Sequence, residues 1–313
     1  YRLKFLSRKG EIALLFEDFK NVSSEEKREL GKPVNELKKF AEARFDEFQE
    51  SLKSQKVETK LEDDPSLPSD SEPLGARHPL SIVIKRMTDI FTKLGFSVAD
   101  GPEIETDWYN FEALNFAENH PARDMQDTFF VDKGLALRSH TSSVQVRVME
   151  SNKPPIRYIM PGRVYRNEAV SARSNSFFHQ IEGIYIDENV SFADLKQTLY
   201  FFVKEFLGED VGVRFRASYF PFTEPSAEMD VSCYICKGSG CNICKHSGWV
   251  EILGCGMIDP NVLKNCGIDP EKYSGYAFGI GIERITMQRY DVKDIRTFFE
   301  NDVKFLRQFT KIL

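Results

Sequence analysis

The sequence predicts an α+β fold in two parts, a helical arm followed by a larger domain in which helices and strands mix. Three observations carry this. Residues 1–60 place their apolar side chains at helical spacing. Gly162 to Gly183, GRVYRNEAVSARSNSFFHQIEG, reads as two strands, with arms near 156–168 and 177–187, joined by a short polar loop that carries Arg173 and several serines. Close to the end, the small-residue run GYAFGIG (275–281) reads as a strand that something approaches closely, passing into a helix that opens at Ile282-Glu283-Arg284.

The 313 residues suffice for one sizeable domain plus an appendage, and 41% hydrophobic with 29% charged residues is ordinary for a globular protein. No apolar run of about 18 residues and no signal-peptide pattern is present, so neither a membrane nor secretion is expected. The net charge of −6 makes a general nucleic-acid binder a poor expectation, and any RNA contact has to be local or shared with a partner. Six cysteines, four of them within twelve residues, suit a metal site in a reducing cytosol better than disulfides. The chain opens on Tyr1 rather than Met, so the expectation is that an N-terminal piece is missing.

In the arm, Ile12, Leu15, Phe16 and Phe19 form one stripe. Ser23 to Glu26 has capping-box spacing, and Gly31 with Pro33 marks an expected break and restart. The next stripe, Val34, Leu37, Ala41, Phe45, Phe48 and Leu52, would pair with another helix. Either the arm is a short bundle that stabilises only itself, or it protrudes and touches RNA. Its charge barely discriminates, with 14 Lys+Arg against 12 Asp+Glu over residues 1–60, a net of +2. Residues 61–77, rich in Pro, Ser and Asp, read as a linker to a domain over 78–313. That domain opens with a helix from His78-Pro79-Leu80 bearing Val83, Met87, Ile90, Phe91 and Leu94, stopped by Gly95 and followed by the strand FSVADGPEIET. LRSHTSSVQ (137–145) reads as a strand ending at His140 and a helix starting at Thr141 to Ser143, whose hydroxyls would ordinarily cap it.

Alternation in the hairpin puts Val164, Arg166 and Glu168 on one side of the first arm and Phe178, Gln180 and Glu182 on one side of the second. If the two faces coincide, they present Arg, Glu, Gln, Glu and one aromatic ring together. A charged hairpin face is often merely solvated, yet these residue types do more. Arg grips phosphate or carboxylate in a planar, bidentate way, Glu and Gln hold an ammonium or amino group, and Phe stacks on a base. That set fits an anionic nucleotide beside an amino acid. Phe220 and Phe222, two apart on an extended segment, are either core aromatics or the walls of a pocket. Cys233, Cys236, Cys241 and Cys244 give C-x2-C-x4-C-x2-C, with Gly238 and Gly240 relieving the turn between two knuckles that can close a tetrahedron around Zn2+. The alternatives are a chance cluster of reduced thiols or a zinc knuckle that binds RNA. Cys255 and Cys266 read as buried thiols. The glycines of GYAFGIG do not fit dinucleotide binding, which requires a βαβ unit and a later acidic residue, and no Walker A sequence is present.

GRVYRNE followed by FFHQIEG resembles the second signature motif of class II aminoacyl-tRNA synthetases, in the form used by phenylalanyl-tRNA synthetase alpha subunits. GYAFGIGIER resembles the third motif, and the helix and strand of 78–106 resemble the first, which builds a subunit interface in that family. The resemblance runs from near residue 1 to the C-terminus. It implies a class II catalytic domain, an antiparallel sheet flanked by helices, with an N-terminal helical hairpin arm that contacts tRNA and whose first helical strand is absent here.

The resemblance also implies roles. Arg166 would grip the α-phosphate and the carboxylate, with Glu168 orienting the amino group or adenine. Phe178 and Arg284 would sandwich adenine, with Arg284 reaching the γ-phosphate of a bent ATP and Glu283 beside it. His140, Thr141, Ser142, Gln180 and Glu182 would hold the ammonium and carboxylate of phenylalanine. Phe220, Phe222, Ala277 and Gly279 would enclose its ring, and Glu224 would hold Mg2+ near the subunit contact. The loop SARSNS lacks the histidine often found there, Gln126 stands where relatives use an aromatic or histidine, and the cysteine cluster at 233–244 is an addition to the family pattern. The implied activity is ATP-dependent formation of phenylalanyl-adenylate and transfer to tRNA(Phe) in the cytoplasm. The partner would be a beta subunit in an (αβ)2 heterotetramer, which would also carry any editing. The alternative is a non-catalytic, zinc-stabilised RNA-binding or assembly protein derived from a synthetase, whose mark would be loss of Arg166 and Arg284; both are present.

Overall fold

Two helices joined through Asn21 to Ser23, α1 (Glu11–Lys20) and α2 (Ser24–Ser54), make the expected hairpin. The structure, a computed structural model, describes residues 1–54, 75–123, 128–233, 235–241 and 244–310. The expected linker, apart from residues 75–77, and Gln126 lie outside these. The chain divides into two compact units, Tyr1–Pro73 and Leu74–Leu313.

In the first unit, Phe19 packs near Gly31, Phe16 under Lys38, and Tyr1 stacks on Phe45, so the two helices run antiparallel. Glu26 accepts from both the backbone N–H and the hydroxyl of Ser23, which fixes the start of α2. The break expected at Gly31 and Pro33 does not occur, because α2 runs through both. Pro33 removes one backbone bond, to the carbonyl of exposed Glu29, where water can substitute, and the strong helix formers on either side carry the helix across. Of the predicted stripes, Ile12 and Ala41 are buried, whereas Leu15, Leu37, Phe48 and Leu52 are exposed.

The second unit begins with α3 (Pro79–Lys93), capped by His78 Nδ1, which accepts from Leu80 N–H. FSVADGPEIET is not one strand. It splits at Gly101-Pro102 into β1 (Ser97–Val98) and β2 (Ile104–Thr106), which join different sheets. After the one-turn α4 (Asp107–Asn110) come β3 (Phe130–Asp132), β4 (Leu135–Leu137) and α5 (Ser142–Ser151). Then follow β5 (Ile156–Tyr165), β6 (Phe177–Asp187), α6 (Phe192–Leu207), β7 (Val213–Phe220), β8 (Thr223–Ser232) and β9 (Trp249–Ile258). The chain continues with α7 (Pro260–Asn265), β10 (Ser274–Gly281), α8 (Ile282–Tyr290) and the short α9 (Val303–Leu306).

Seven strands form one sheet in the order β1-β5-β6-β10-β9-β8-β7, antiparallel except for the β1–β5 pair, and β2-β4-β3 form a small second sheet. The larger sheet has two different faces. Ile159, Ile181, Leu253, Phe278 and Ile280 point to one face and pack with Met87 and Phe91 of α3, Phe202 of α6 and Ile285 of α8. The other face carries a second core under α5, including Met160, Ile184, Ile186 and Ala277. Along β6 that second face changes character from Ile186 and Ile184 to Glu182, Gln180 and Phe178, while β9 and β10 shrink to Gly254 and Gly279. The bulk of the core ends there, and a pocket begins.

Candidate active site

The pocket is a cavity of about 740 Å³ on this second face, reached by residues from the hairpin, the start of α5, the β7–β8 turn, β9 and α8. In the hairpin Val164 pairs with Phe178, Gly162 with Gln180 and Met160 with Glu182, so the two faces predicted to carry chemistry do coincide. The Arg166 guanidinium carbon lies 5.0 Å from the centre of the Phe178 ring, and Arg166 N–H donates to Ser176 across the loop. Glu168 lines the rim and accepts the hydroxyl of Ser174. The loop is tied down further by Ile295 N–H, which donates to Ala172. Arg173, Ser174 and Asn175 thereby reach the pocket as well.

Glu182 forms the polar floor. Its buried carboxylate accepts from Thr141 N–H at 3.2 Å, Ser142 Oγ at 2.6 Å and Gln145 Nε2 at 2.6 Å. Burial raises its pKa, and these three donors oppose that rise. The strand expected to reach His140 stops at Leu137, and the hydroxyls after it do not cap α5. Ser142 is spent on Glu182, and the Thr141 and Ser143 hydroxyls are buried without a partner. A cap needs the hydroxyl oxygen turned to the helix's own N–H groups; the Ser142 hydroxyl is turned instead to donate to the carboxylate on β6. His140 stacks on Phe116 at 5.9 Å, and burial beside Arg166 pushes its pKa down to about 3, so the ring is neutral. Both of its nitrogens and Gln180 Oε1 lack partners. Buried polar atoms are normally satisfied, so this cluster is a candidate place for a polar ligand or water.

Phe220 and Phe222 are not on one extended segment: Phe220 ends β7 and Phe222 lies in the tight β7–β8 turn, with rings 5.8 Å apart and 11° from parallel. They stand over the small residues of β9 and β10, where Gly254 pairs with Gly279 and Gly256 with Ala277. At the other wall, Arg284 in the first turn of α8 is open to solvent, with Glu251 3.7 Å away. Glu283 is buried, and both of its oxygens are occupied by His179. Glu251 and Glu228 also line the pocket.

The family described as tRNA synthetases class II core domain (F) matches residues 62–309, and that described as aminoacyl tRNA synthetase class II, N-terminal domain, matches residues 1–61. The chain belongs to the class II aminoacyl-tRNA synthetases. Among relatives, the phenylalanine--tRNA ligase alpha subunit of Parabacteroides distasonis is 62% identical over 98% of this chain and 91% of that protein. The one from Cytophaga hutchinsonii is 60% identical over 99% and 92%. A pyrrolysyl-tRNA synthetase structure from Desulfitobacterium hafniense shares the fold at a TM-score of 0.55 and 17% identity, covering 72% of this chain and 74% of that one.

Within this class II domain the structure brings every predicted pocket residue to the cavity or its immediate wall, Thr141 through its backbone. Glu224 is the exception, exposed on β8 and outside the lining. Sequence reasoning passed over Gln145, His179, Glu228 and Glu251. Gln145 was findable, because it lies three residues after Ser142 on the same helix face. The others acquire their meaning only from strand register.

Cys233, Cys236, Cys241 and Cys244 converge in the β8–β9 connection, with all four sulfurs within 4.8 Å of one another, the only such group among the described residues. Sγ–Sγ distances of 3.8, 3.8 and 3.7 Å match the edge of a tetrahedron with Zn–S bonds of about 2.3 Å. Burial raises the Cys244 thiol, yet the N–H groups of Cys241 and Gly248, with the neighbouring Cys241 and Cys236 side chains, together outweigh it and hold its pKa at about 6. The donor set therefore fits the metal. Cys255 and Cys266 are buried thiols.

Proposed function

We propose that this chain is the catalytic alpha subunit of a phenylalanine–tRNA ligase, activating L-phenylalanine with ATP and passing it to tRNA(Phe). The observation that carries the reading is one cavity holding an arginine–aromatic pair, a carboxylate surrounded by donors, and two stacked phenylalanines over small residues. The high identity to proteins named as phenylalanine–tRNA ligase alpha subunits supports it.

Phenylalanine lies with its ring against Phe220 and Phe222, where edge-to-face packing favours an aromatic guest, and Ala277 with Gly279 leaves room at the far end. Its ammonium takes the remaining capacity of Glu182, three of whose roughly four acceptor sites are filled. Gln180 Oε1 and neutral His140 add acceptors beside it. Adenine sits between Phe178 and Arg284, and Arg166 neutralises the α-phosphate and the attacking carboxylate. A carboxylate oxygen forms the new bond to the α-phosphorus as pyrophosphate leaves. A ribose hydroxyl of the tRNA end then attacks the carbonyl carbon and AMP leaves. Positioning and neutralised charge suffice, with no side-chain nucleophile.

ATP brings Mg2+, whose preference for phosphate oxygens plus one or two carboxylates fits Glu228 and Glu251 in the lining. Glu224, exposed on β8 and outside the lining, is the proposed Mg2+ ligand near the subunit contact, apart from the nucleotide. Zn2+ in the four thiolates is structural, since no coordination position is left open. A beta subunit in an (αβ)2 assembly completes the enzyme in the cytoplasm, where aminoacylation feeds translation. Among the described residues no helix is long and apolar enough to cross a membrane. The non-catalytic alternative loses its footing because Arg166 and Arg284 both line the cavity.

The test is amino-acid-dependent ATP–pyrophosphate exchange across all twenty amino acids, with and without the co-expressed partner subunit. Exchange driven by phenylalanine alone, and only with the partner, is the expected result. No exchange in either preparation overturns the enzyme reading.

A further inference from the structure

Glu283 is 2% exposed, and both of its carboxylate oxygens converge on one residue. Its Oε1 and Oε2 lie 3.0 and 2.9 Å from the backbone nitrogen of His179, and Oε1 lies 2.7 Å from that residue's ring Nδ1. Strand register explains the arrangement. β10 pairs with β6 from Ser274↔Asp187 down to Gly281↔Gln180, and there β10 turns into α8. His179, the next residue of β6, still pairs with Arg163 of β5 on its other side but has lost its β10 neighbour. An N–H left in that position without an acceptor is costly. The Glu283 side chain supplies the acceptor that the missing strand would have given.

The chain neighbours of this pair are Phe178 and Arg284. Phe178 precedes His179 and, by strand alternation, faces the cavity where His179 does not; Arg284 follows Glu283. Among the described residues Arg284 makes a long 3.7 Å ion-pair contact to Glu251 and leaves 62% of its side chain exposed, so its position depends largely on its own backbone. We propose that His179 and Glu283 are a positioning pair that sets the gap between Phe178 and Arg284, and so the affinity for the adenine nucleotide, without either touching the nucleotide. This rests on the reading of that gap as the purine site. It also assigns Glu283 a role other than direct contact with ATP, because both of its oxygens are turned to His179.

The experiment uses the complex with the partner subunit and measures ATP binding by calorimetry alongside exchange kinetics in both substrates. Glu283→Ala is expected to weaken ATP binding and raise its KM about ten-fold or more, with the phenylalanine KM held within about two-fold. Glu283→Gln keeps an acceptor for the His179 N–H and restores most of the ATP affinity. His179→Ala, which keeps that backbone bond, has a smaller effect than Glu283→Ala. If Glu283→Ala does not assemble, Glu283→Asp carries the same decision, because its carboxylate is one methylene too short to bridge. ATP affinity unchanged in the shortened variant, or a phenylalanine KM that rises as far as the ATP KM, overturns the proposal. Absence of phenylalanine-dependent exchange in the unmutated complex counts against the functional reading alone, since ATP calorimetry still decides for the pair.

Discussion

Phe220 lies directly over Gly254: a Cβ at residue 254 would come within 2.8 Å of the ring's Cζ and 3.1 Å of Cε2. The glycine is therefore what lets the aromatic wall of the pocket sit at its present height above β9. Gly254→Ala should push the Phe220 ring into the cavity, toward the space proposed for the substrate ring. The expected outcome is a phenylalanine KM raised about ten-fold or more, as for small steric changes in an apolar pocket, with the ATP KM unchanged. Separate saturation curves for the two substrates check it. Equal losses for both would place the glycine in the general packing of the sheet instead.

Ala277 faces the same pocket from β10, opposite Gly256. On the proposed seating of phenylalanine, its methyl is the bulk at the far end, where a para substituent on the ring would go. Ala277→Gly is expected to admit para-substituted phenylalanines, with their kcat/KM rising about ten-fold relative to phenylalanine, the scale of one methyl group in an apolar site. Exchange assays with para-chloro- and para-bromophenylalanine measure this. Unchanged selectivity would move the end of the pocket elsewhere.

What the sequence made legible was whatever alternation or spacing encodes. The β5–β6 hairpin, the β10-to-α8 passage and the cysteine cluster each announce themselves within about twenty residues, and each is found where expected. What stayed hidden depends on a choice between competing partners. The hydroxyls of Thr141 and Ser142 have the pattern of a helix cap, and only the presence of Glu182 across the cleft turns Ser142 away from it. Pro33 has the pattern of a helix break, but one lost bond on an exposed surface is outweighed by the residues around it. Phe220 and Phe222 are two apart in either an extended or a turning chain, so their spacing alone could not reveal the hairpin turn between β7 and β8. His179 is invisible for a different reason, since its partner lies 104 residues away and the contact exists only because β10 ends one position early.

Two buried groups in the site act on stability with opposite signs. Burial raises the pKa of Glu182 above its ordinary 4.5, so within that window the folded protein holds a proton that the unfolded chain has released. Its contribution thus declines as the pH rises from 4.5 through the folded value. His140, held near 3 against an ordinary 6.5, contributes stability that is present above pH 6.5 and lost as the pH falls toward 3. Urea midpoints measured from pH 4 to pH 8 are expected to show His140→Gln flattening the acid side, by up to about 1.4 kcal/mol per pH unit. Glu182→Gln should instead raise stability relative to the unmutated protein just above the carboxylate range, while abolishing phenylalanine binding. If His140→Gln leaves the acid limb as steep as before, the imidazole is not the group that couples protons to folding there.

The four clustered cysteines close the connection between β8 and β9, and those two strands carry Glu228, Glu251 and Gly254 into the pocket. With Zn2+ in the proposed site, loss of the metal is expected to be felt first as loss of hairpin order and only secondarily in chemistry. Cys244→Ser is expected to lower the zinc content from about one per chain to near zero and to reduce the unfolding temperature by about 5–10 °C, a modest part of what a structural zinc site can supply. Exchange activity at a low assay temperature should stay within a few-fold of the unmutated complex. Cys255→Ser, at a buried thiol outside the cluster, serves as the control and should leave the zinc content intact. Elemental analysis with calorimetry on the purified complex measures both quantities. A stoichiometry near zero in the unmutated protein, purified without chelators, would show that the sulfur tetrahedron holds itself together through its N–H···S contacts alone.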